Sequence, residues 1–200
     1  MKIISALRVL LATFLIASAA AATASPTLIT DSSGKLTGAK NVNVGGTLYN
    51  VTFADGSCNS LFNGCVQSAF AFNSRAVASI AAQALFDFVF TDHVGAQFDT
   101  LGNTTLGCDN TQFCASFIPY SSTSRSFDAY VAYNYYASLD SADTTLLSTG
   151  NVPTTDFSSS HGLNFAIFQL ADATSVPEPS SIALLGLALA GMTALRRRKS

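Results

Sequence analysis

Apolar and polar residues alternate along residues 37–53, TGAKNVNVGGTLYNVTF, and the alternation is interrupted once, at Gly45-Gly46. A period of two places successive side chains on opposite faces of a strand, and a glycine pair between two such runs is a turn signal. The pattern predicts a β-hairpin over these residues. Asp55-Gly56 then predicts a second turn.

A different periodicity begins at Asn73. In NSRAVASIAAQALFDFVF, apolar side chains recur at intervals of three and four residues, at Val77, Ile80, Ala81, Ala84, Leu85 and Phe88. This spacing predicts one amphipathic helix over about residues 74–89, with Ser74 as its N-cap.

Three later stretches, 112–118, 127–136 and 163–170, are rich in aromatic and β-branched residues and predict strands. Residues 138–160 are mostly Ser, Thr, Asp and Gly, so most of this segment is predicted to be a long loop. Together the elements predict an α+β fold, a mostly antiparallel β-sheet with one packed amphipathic helix, followed by a C-terminal apolar helix.

The first residues, MKIISALRVLLATFLIASAAAATASP, have the layout of a secretory signal peptide. Lys2 and Arg8 accompany an apolar stretch, and small residues follow it. Ala22-Thr23-Ala24 suits the shallow pockets of a signal peptidase, so residues 1–24 are predicted to be removed.

The last residues combine an apolar run with a basic end. Residues 182–195 carry no charge, but 14 residues of helix span only about 21 Å, against about 30 Å of hydrocarbon. Two preceding serines and snorkelling arginines bring this segment near the lower limit for a bilayer crossing. The positive-inside rule keeps residues 196–200 in the cytoplasm and residues 25–171, the exported domain, on the far side.

Residues 172–181 form a spacer that contains Pro177, Glu178 and Pro179, and the tail ends in a basic cluster, Arg196, Arg197, Arg198 and Lys199. Val176 to Lys199 resembles the PEP-CTERM sorting signal of Gram-negative bacteria, which combines a Pro-Glu-Pro motif, a short apolar helix and a basic tail.

The resemblance implies recognition, and removal of the tail, by an exosortase in a bacterium that makes exopolysaccharide. It also implies a membrane-anchored intermediate and a final place at the cell surface or in the extracellular matrix. The same tail occurs on some ice-binding proteins, but the chemistry of this tail does not support ice binding. The stretch VNVGGTLYNVTFADGSC is similar to the opening of an uncharacterised group of exported proteins with this tail.

The charge of the predicted mature region excludes one class of partner. Between Ser25 and Val176 the chain has four basic residues and eleven aspartates, a balance of −7. An acidic surface repels phosphate backbones, so nucleic acid is not an expected partner.

Four cysteines occur in two close pairs, Cys58 with Cys65 and Cys108 with Cys114. In an exported chain this number predicts two disulfides, and three connectivities are possible. The two local pairs are favoured because each closes a short polar loop. A zinc site is disfavoured because neither pair is C-x-x-C and zinc thiolates are uncommon in oxidising compartments.

The sequence does not select catalytic residues. His93 and His161 lie among polar loop residues, and no nucleophile-elbow or metalloprotease spacing accompanies them. Asp87, Asp92 and Asp99 lack the calcium-loop spacing and its terminal Glu, so an acidic solvated loop is expected. We therefore expect a non-enzymatic protein with no cofactor.

Two alternatives remain open. Tyr130, Tyr133, Tyr135 and Tyr136 could line a carbohydrate-binding face, since tyrosine combines a flat apolar ring with a polar tip. The chain would then be a secreted carbohydrate-binding module or a polysaccharide hydrolase. The other alternative is a periplasmic domain that the tail anchors permanently.

Overall fold

The computed structural model describes residues 25–110, 112–137 and 142–172. The predicted signal peptide, the sorting motif, the apolar segment and the basic tail lie outside the described residues. The strands are β1 (Thr27–Thr30), β2 (Leu36–Val44), β3 (Thr47–Ala54), β4 (Asp92–His93), β5 (Ala96–Gln97), β6 (Phe113–Ser122), β7 (Phe127–Tyr135), β8 (Thr144–Asn151) and β9 (Leu163–Leu170). Two α-helices, α1 (Cys58–Leu61) and α2 (Arg75–Phe88), and three single 3₁₀ turns, Gln67–Ala69, Gly102–Thr104 and Phe157–Ser159, accompany them.

The predicted hairpin is confirmed as β2 and β3, which pair antiparallel. Gly45 and Gly46 connect the strands with φ angles of 58° and 93°. Positive φ at both central residues gives a turn whose twist matches that of the strands, and glycine adopts it without steric cost. The glycine pair therefore sets the register of the hairpin.

Seven of the strands form one sheet in the spatial order β1-β2-β3-β9-β6-β7-β8. Neighbouring strands pair antiparallel except β6 and β9, which run parallel with Ala115 opposite Leu163. The sheet is therefore mixed, although it is mostly antiparallel as predicted. Local alternation could not reveal this pair, because β9 inserts between two strands that are distant in sequence.

Helix α2 confirms the predicted helix and its cap, since Ser74 Oγ accepts a hydrogen bond from the Val77 N–H at 3.4 Å. The predicted buried face is only partly right. Val77 and Ile80 are 39% and 46% exposed, and the buried positions are Ala78, Ala81, Ala82, Ala84 and Leu85. The helix turns its small side chains to the sheet, and this allows the two backbones to approach closely.

The segment predicted as a long loop, residues 138–160, contains strand β8 and the 3₁₀ turn Phe157–Ser159. The loop prediction was wrong there because β8 lies at the edge of the sheet and buries neither face, so its sequence, TTLLSTGN, lacks one-sided alternation. Backbone pairing with β7 forms this strand.

The sheet has two covered faces. On the helix face, α2 packs over a core that includes Val51, Phe53, Ile118, Ala132 and Phe168. On the opposite face, here called the aromatic face, the segment from α1 to the turn Gln67–Ala69 and the turn at Phe157 cover the core residues Phe62, Phe70, Phe117, Phe127, Phe157 and Phe165. Six phenylalanines thus build the second core.

Two buried asparagines fasten the loop before β6 to the helix face. Asn134 donates from Nδ2 to the Phe98 carbonyl at 2.6 Å, and Asn164 donates to the Leu106 carbonyl at the same distance. Both asparagines are fully buried. A buried amide that satisfies a loop carbonyl holds the loop in one place, because breaking the bond leaves both groups without water.

Candidate functional site

The aromatic face continues past its cover as an open aromatic cluster, defined by Phe113, Tyr133 and Tyr135. Tyr133 and Tyr135 project from the same side of β7, with ring centroids 6.0 Å apart and planes 19° from parallel. Phe113, on β6, lies 5.8 Å from Tyr133 and 6.1 Å from Tyr135 between ring centroids. All three side chains are half-buried, so the cluster presents aromatic surface at the edge of the second core.

Two tyrosine hydroxyl groups are the polar part of this cluster. Within residues 25–110, 112–137 and 142–172, neither the Tyr133 nor the Tyr135 hydroxyl has a hydrogen-bond partner, whereas Tyr136 donates its hydroxyl to Asn103 Oδ1 at 3.0 Å. Burial raises the pKa of Tyr133, with a smaller effect from Tyr135. The two tyrosines thus combine partly desolvated rings with hydroxyl groups that have no hydrogen-bond partner among the described residues.

The structure separates the four tyrosines that the sequence grouped. Tyr130 lies on the helix face, packed against the core under α2, and Tyr136 is engaged with Asn103. Only Tyr133 and Tyr135 come together, and Phe113 joins them through the β6–β7 register, which places it opposite Tyr135. That register is a long-range property of the fold, so the sequence pattern could not identify Phe113.

A pair of carboxyl groups, those of Asp99 and Asp143, lies by the backbone of Tyr135. Asp143 Oδ1 accepts the Tyr135 N–H at 2.7 Å. Residue 143 as a whole is exposed, but its carboxyl is directed at the backbone. Desolvation raises the pKa of this carboxyl to about 6, and the carboxyl of Asp99 acts in the same direction. The Tyr135 N–H opposes this shift.

We expect Asp143→Asn to stabilise the protein at pH 7.5 and to leave it unchanged at pH 4. The pKa of this carboxyl is 3.8 in the unfolded chain and about 6 in the folded protein, so the folded state holds the proton more tightly. The resulting stabilisation is complete below pH 3.8 and is lost as the pH rises through 6. The amide keeps an acceptor for Tyr135 but cannot ionise. The gain at pH 7.5 should be about 1 kcal/mol, after allowance for solvent screening of an exposed residue. Urea unfolding of both proteins at the two pH values measures it, and an equal effect at both would contradict the assignment.

The three acidic residues near the end of α2 have structural partners. Asp92 accepts the N–H groups of Asp99 and Thr100 at 2.9 and 3.1 Å, and Asp87 accepts from Gln83 Nε2 at 3.0 Å. The two bonds to Asp92 tie the start of β4 to the residues just after β5. In the described part of the chain, no three His, Cys, Asp or Glu side chains are grouped closely enough to hold a metal ion.

The two histidines lie in separate surroundings. His93 Nε2 is 3.0 Å from the Thr91 hydroxyl, and the carbonyl of His161 accepts backbone N–H groups of Asp109 and Asn110. Asp109 in turn binds Lys35 Nζ at 2.7 Å. Neither imidazole makes a hydrogen bond to a serine hydroxyl or a carboxylate among these residues.

Both local cysteine pairs are joined in the structure, Cys58 to Cys65 and Cys108 to Cys114, with Cα atoms 5.0 and 5.5 Å apart. The first bond ties α1 to the loop that covers the aromatic face, and the second closes the loop before β6. Each closes a short loop, so chain entropy gives each about 2.5 kcal/mol of stabilisation. Disulfides of this kind are typical of oxidising compartments.

Among the described residues, no helix is long and apolar enough to cross a membrane. The apolar run at 182–195 lies outside them.

Comparison with known proteins identifies the end of the chain. The family model of the PEP-CTERM protein-sorting motif matches residues 175–199. The match includes Pro177, Glu178 and Pro179 and the basic cluster, and confirms the resemblance found in the sequence. The motif marks an exported protein that is targeted to an exosortase, with the cell envelope or surface as its destination. No curated protein and no solved structure matches the chain.

Proposed function

We propose that the chain is a non-enzymatic surface or extracellular-matrix protein of a Gram-negative bacterium, released from its tail by an exosortase. The match at residues 175–199 carries this proposal. The signal-peptide pattern at residues 1–24 and the two disulfides agree with it, since both suit a chain that folds outside the cytoplasm.

The non-enzymatic assignment is supported by how the polar side chains are used. Asp92 ties the start of β4 to the residues after β5, and within the described ranges neither the His93 nor the His161 imidazole is hydrogen-bonded to a serine hydroxyl or a carboxylate. General acid–base or nucleophilic chemistry needs such groups within hydrogen-bond reach of one another. The described residues instead present an open aromatic cluster, polar loops and two disulfide-closed segments at the surface.

Mass spectrometry of the protein recovered outside the cell tests removal of the tail. We expect a mature chain that begins at Ser25 and lacks residues 182–200. Deleting Pro177 to Pro179 should leave the protein in the membrane fraction. A deletion of Asp172 to Thr174, of equal length and just before the matched residues, controls for spacer length. A secreted chain that still carries residues 182–200 would refute removal.

The alternative is that the tail anchors the domain permanently, and cell fractionation distinguishes this from release. An anchored domain would remain with the inner membrane in cells that have the exosortase as well as in cells that lack it. Under our proposal, loss of the exosortase moves the protein from the extracellular to the membrane fraction.

A second candidate function is binding of a neutral glycan at the open aromatic cluster. Sugar rings stack on aromatic side chains through their apolar faces and use hydroxyl and carboxylate groups as hydrogen-bond partners. Tyr133 and Tyr135 supply adjacent rings whose hydroxyls have no partner among the described residues, and the Asp143 carboxyl accepts the backbone N–H of Tyr135. The balance of −7 in the mature region opposes an anionic polysaccharide.

Titration of the exported protein with neutral polysaccharides tests this function. Tyr133→Ala and Tyr135→Ala should each weaken binding about tenfold, which corresponds to about 1.4 kcal/mol. Tyr130→Ala is the matched control, because this tyrosine lies on the same strand but on the helix face. Equal losses from all three variants would place the glycan elsewhere. Release of reducing ends that depends on Asp99 or Asp143 would identify a hydrolase instead of a binding module.

A further inference from the structure

Four buried side chains, where the loop of residues 98–108 meets the sheet, each have an oxygen atom with no hydrogen-bond partner among the described residues. They are Thr105, Ser116, Asn134 and Asn164, and all four residues are fully buried. Buried polar groups in folded proteins are almost always hydrogen-bonded, because an unpaired group has lost its bonds to water without replacement. Four such atoms in one region therefore point to a common partner.

Strand register brings three of these side chains together on the helix face. Ser116 on β6 lies opposite Asn164 on β9. Asn134 on β7 lies opposite Cys114, which is two residues from Ser116 and therefore on the same side of β6. The same side of each strand also carries residues of the helix-face core. The three polar side chains thus form one end of that core.

The fourth residue, Thr105, belongs to the loop that the two asparagines hold. Asn164 donates from Nδ2 to the carbonyl of Leu106, the residue after Thr105, and Asn134 donates to the carbonyl of Phe98. Only the NH₂ group of an amide can donate to a carbonyl, so the unpaired oxygen of each asparagine is an acceptor. The two unpaired hydroxyl groups can donate. The junction therefore offers two acceptors and two donors.

Ser116 and Asn164 are neighbours on adjacent strands, yet their side-chain oxygens are not hydrogen-bonded to each other. Adjacent strands lie about 4.8 Å apart, a separation that one water molecule can bridge between two side chains. We propose that ordered water is bound inside this junction, where it bridges Ser116 and Asn164 and extends the hydrogen bonding to Asn134 and Thr105. Water both donates and accepts, so it satisfies amide oxygens and hydroxyl groups together.

Size and charge favour water over another ligand. The four residues are closed off from solvent, so their common partner is as small as water. None of the four side chains is charged, and a buried cation is stabilised mainly by carboxylate ligands. The water holds the loop that carries Asn103, the hydrogen-bond partner of Tyr136. This inference goes beyond the sorting proposal and does not depend on it.

A crystal structure of the exported protein, at a resolution that shows ordered water, tests the site directly. We expect a density peak about 2.7–3.0 Å from both Ser116 Oγ and Asn164 Oδ1. A direct hydrogen bond between these two atoms, with no density between them and the loop, would overturn the proposal. A peak about 2.4 Å from the oxygen atoms would also overturn it, because that distance indicates a metal ion.

The sign of a stability change provides the second measurement. Thr105→Val keeps the shape of the side chain and removes its hydroxyl group. If this hydroxyl binds water, the variant leaves the water without one partner, and the urea midpoint should fall by about 0.5 M. A midpoint that rose or stayed unchanged would overturn the proposal, since valine would then have replaced an unpaired hydroxyl. Thr52→Val, at an exposed position of β3, is the matched control and should leave the midpoint unchanged.

Discussion

Replacing Gly38 by alanine is expected to lower the free energy of unfolding by about 4 kcal/mol, among the largest effects of a single methyl group. A Cβ at this position would lie 2.2 Å from the Val51 carbonyl oxygen and 3.2 Å from its carbonyl carbon. Both atoms belong to the backbone of β3, which is hydrogen-bonded to β2 and cannot move alone. The hairpin must therefore open around the Gly38–Thr52 pair to admit the methyl group.

Gly34→Ala is the control that distinguishes this steric clash from the cost of placing alanine in a left-handed backbone conformation. Gly34 has a φ of +85° and nothing within 4 Å of its added Cβ, whereas Gly38 has ordinary φ and no space. The left-handed conformation should cost alanine about 1 kcal/mol. Urea unfolding of the exported protein measures both variants. If Gly38→Ala cost no more than Gly34→Ala, the close approach of β2 and β3 would be wrong.

Phe165→Ala is expected to cost about 4 kcal/mol, because it removes the centre of the second core. The Phe165 ring is fully buried and lies 4.7 Å from the Phe157 ring and 5.5 Å from the Phe62 ring between centroids. These two neighbours belong to the two covering segments. Loss of the ring therefore leaves a cavity and also loosens both covers.

The size of this effect can be checked against a conservative variant. Phe165→Leu keeps most of the apolar volume and should cost less than half as much in the same urea unfolding experiment. Limited proteolysis should show faster cleavage between Cys58 and Phe70 in Phe165→Ala than in the wild-type protein. Equal stability of the alanine and leucine variants would mean that the ring does not organise the covers.

Sequence patterns predicted the elements whose signals are local. The hairpin around Gly45-Gly46, the Ser74 cap and strand β9 were predicted almost residue for residue, because turn chemistry, capping and alternation depend on near neighbours. The two disulfides also followed from short spacing in an exported chain. The sorting signal could be identified because its three parts are contiguous.

The remaining features depend on contacts that are distant in the chain. Strand β8 does not bury one face, so its sequence lacks the alternation that predicts a strand, and only its pairing with β7 identifies it. Helix α2 packs on the sheet mainly through alanines, so Val77 and Ile80, which the periodicity placed on the buried face, are exposed. The open aromatic cluster needs the β6–β7 register to bring Phe113 beside the tyrosines. The pKa of Asp143 is raised mainly by desolvation in the folded chain, and Asp99 from another loop adds to the shift.

The place of β9 in the middle of the sheet governs the order in which the domain can be completed. β9 contains the last residues of the sheet to be synthesised, yet it pairs with β3 through partners such as Phe53 and Ala166, more than a hundred positions apart. Contacts of such separation are slow to form, and until they do, β3 and β6 have no shared neighbour. A chain that ended before Leu163 would lack β9, and the sheet would be divided into two three-stranded halves. Any enzyme that trims this protein at its carboxyl end without unfolding it must therefore cut beyond β9.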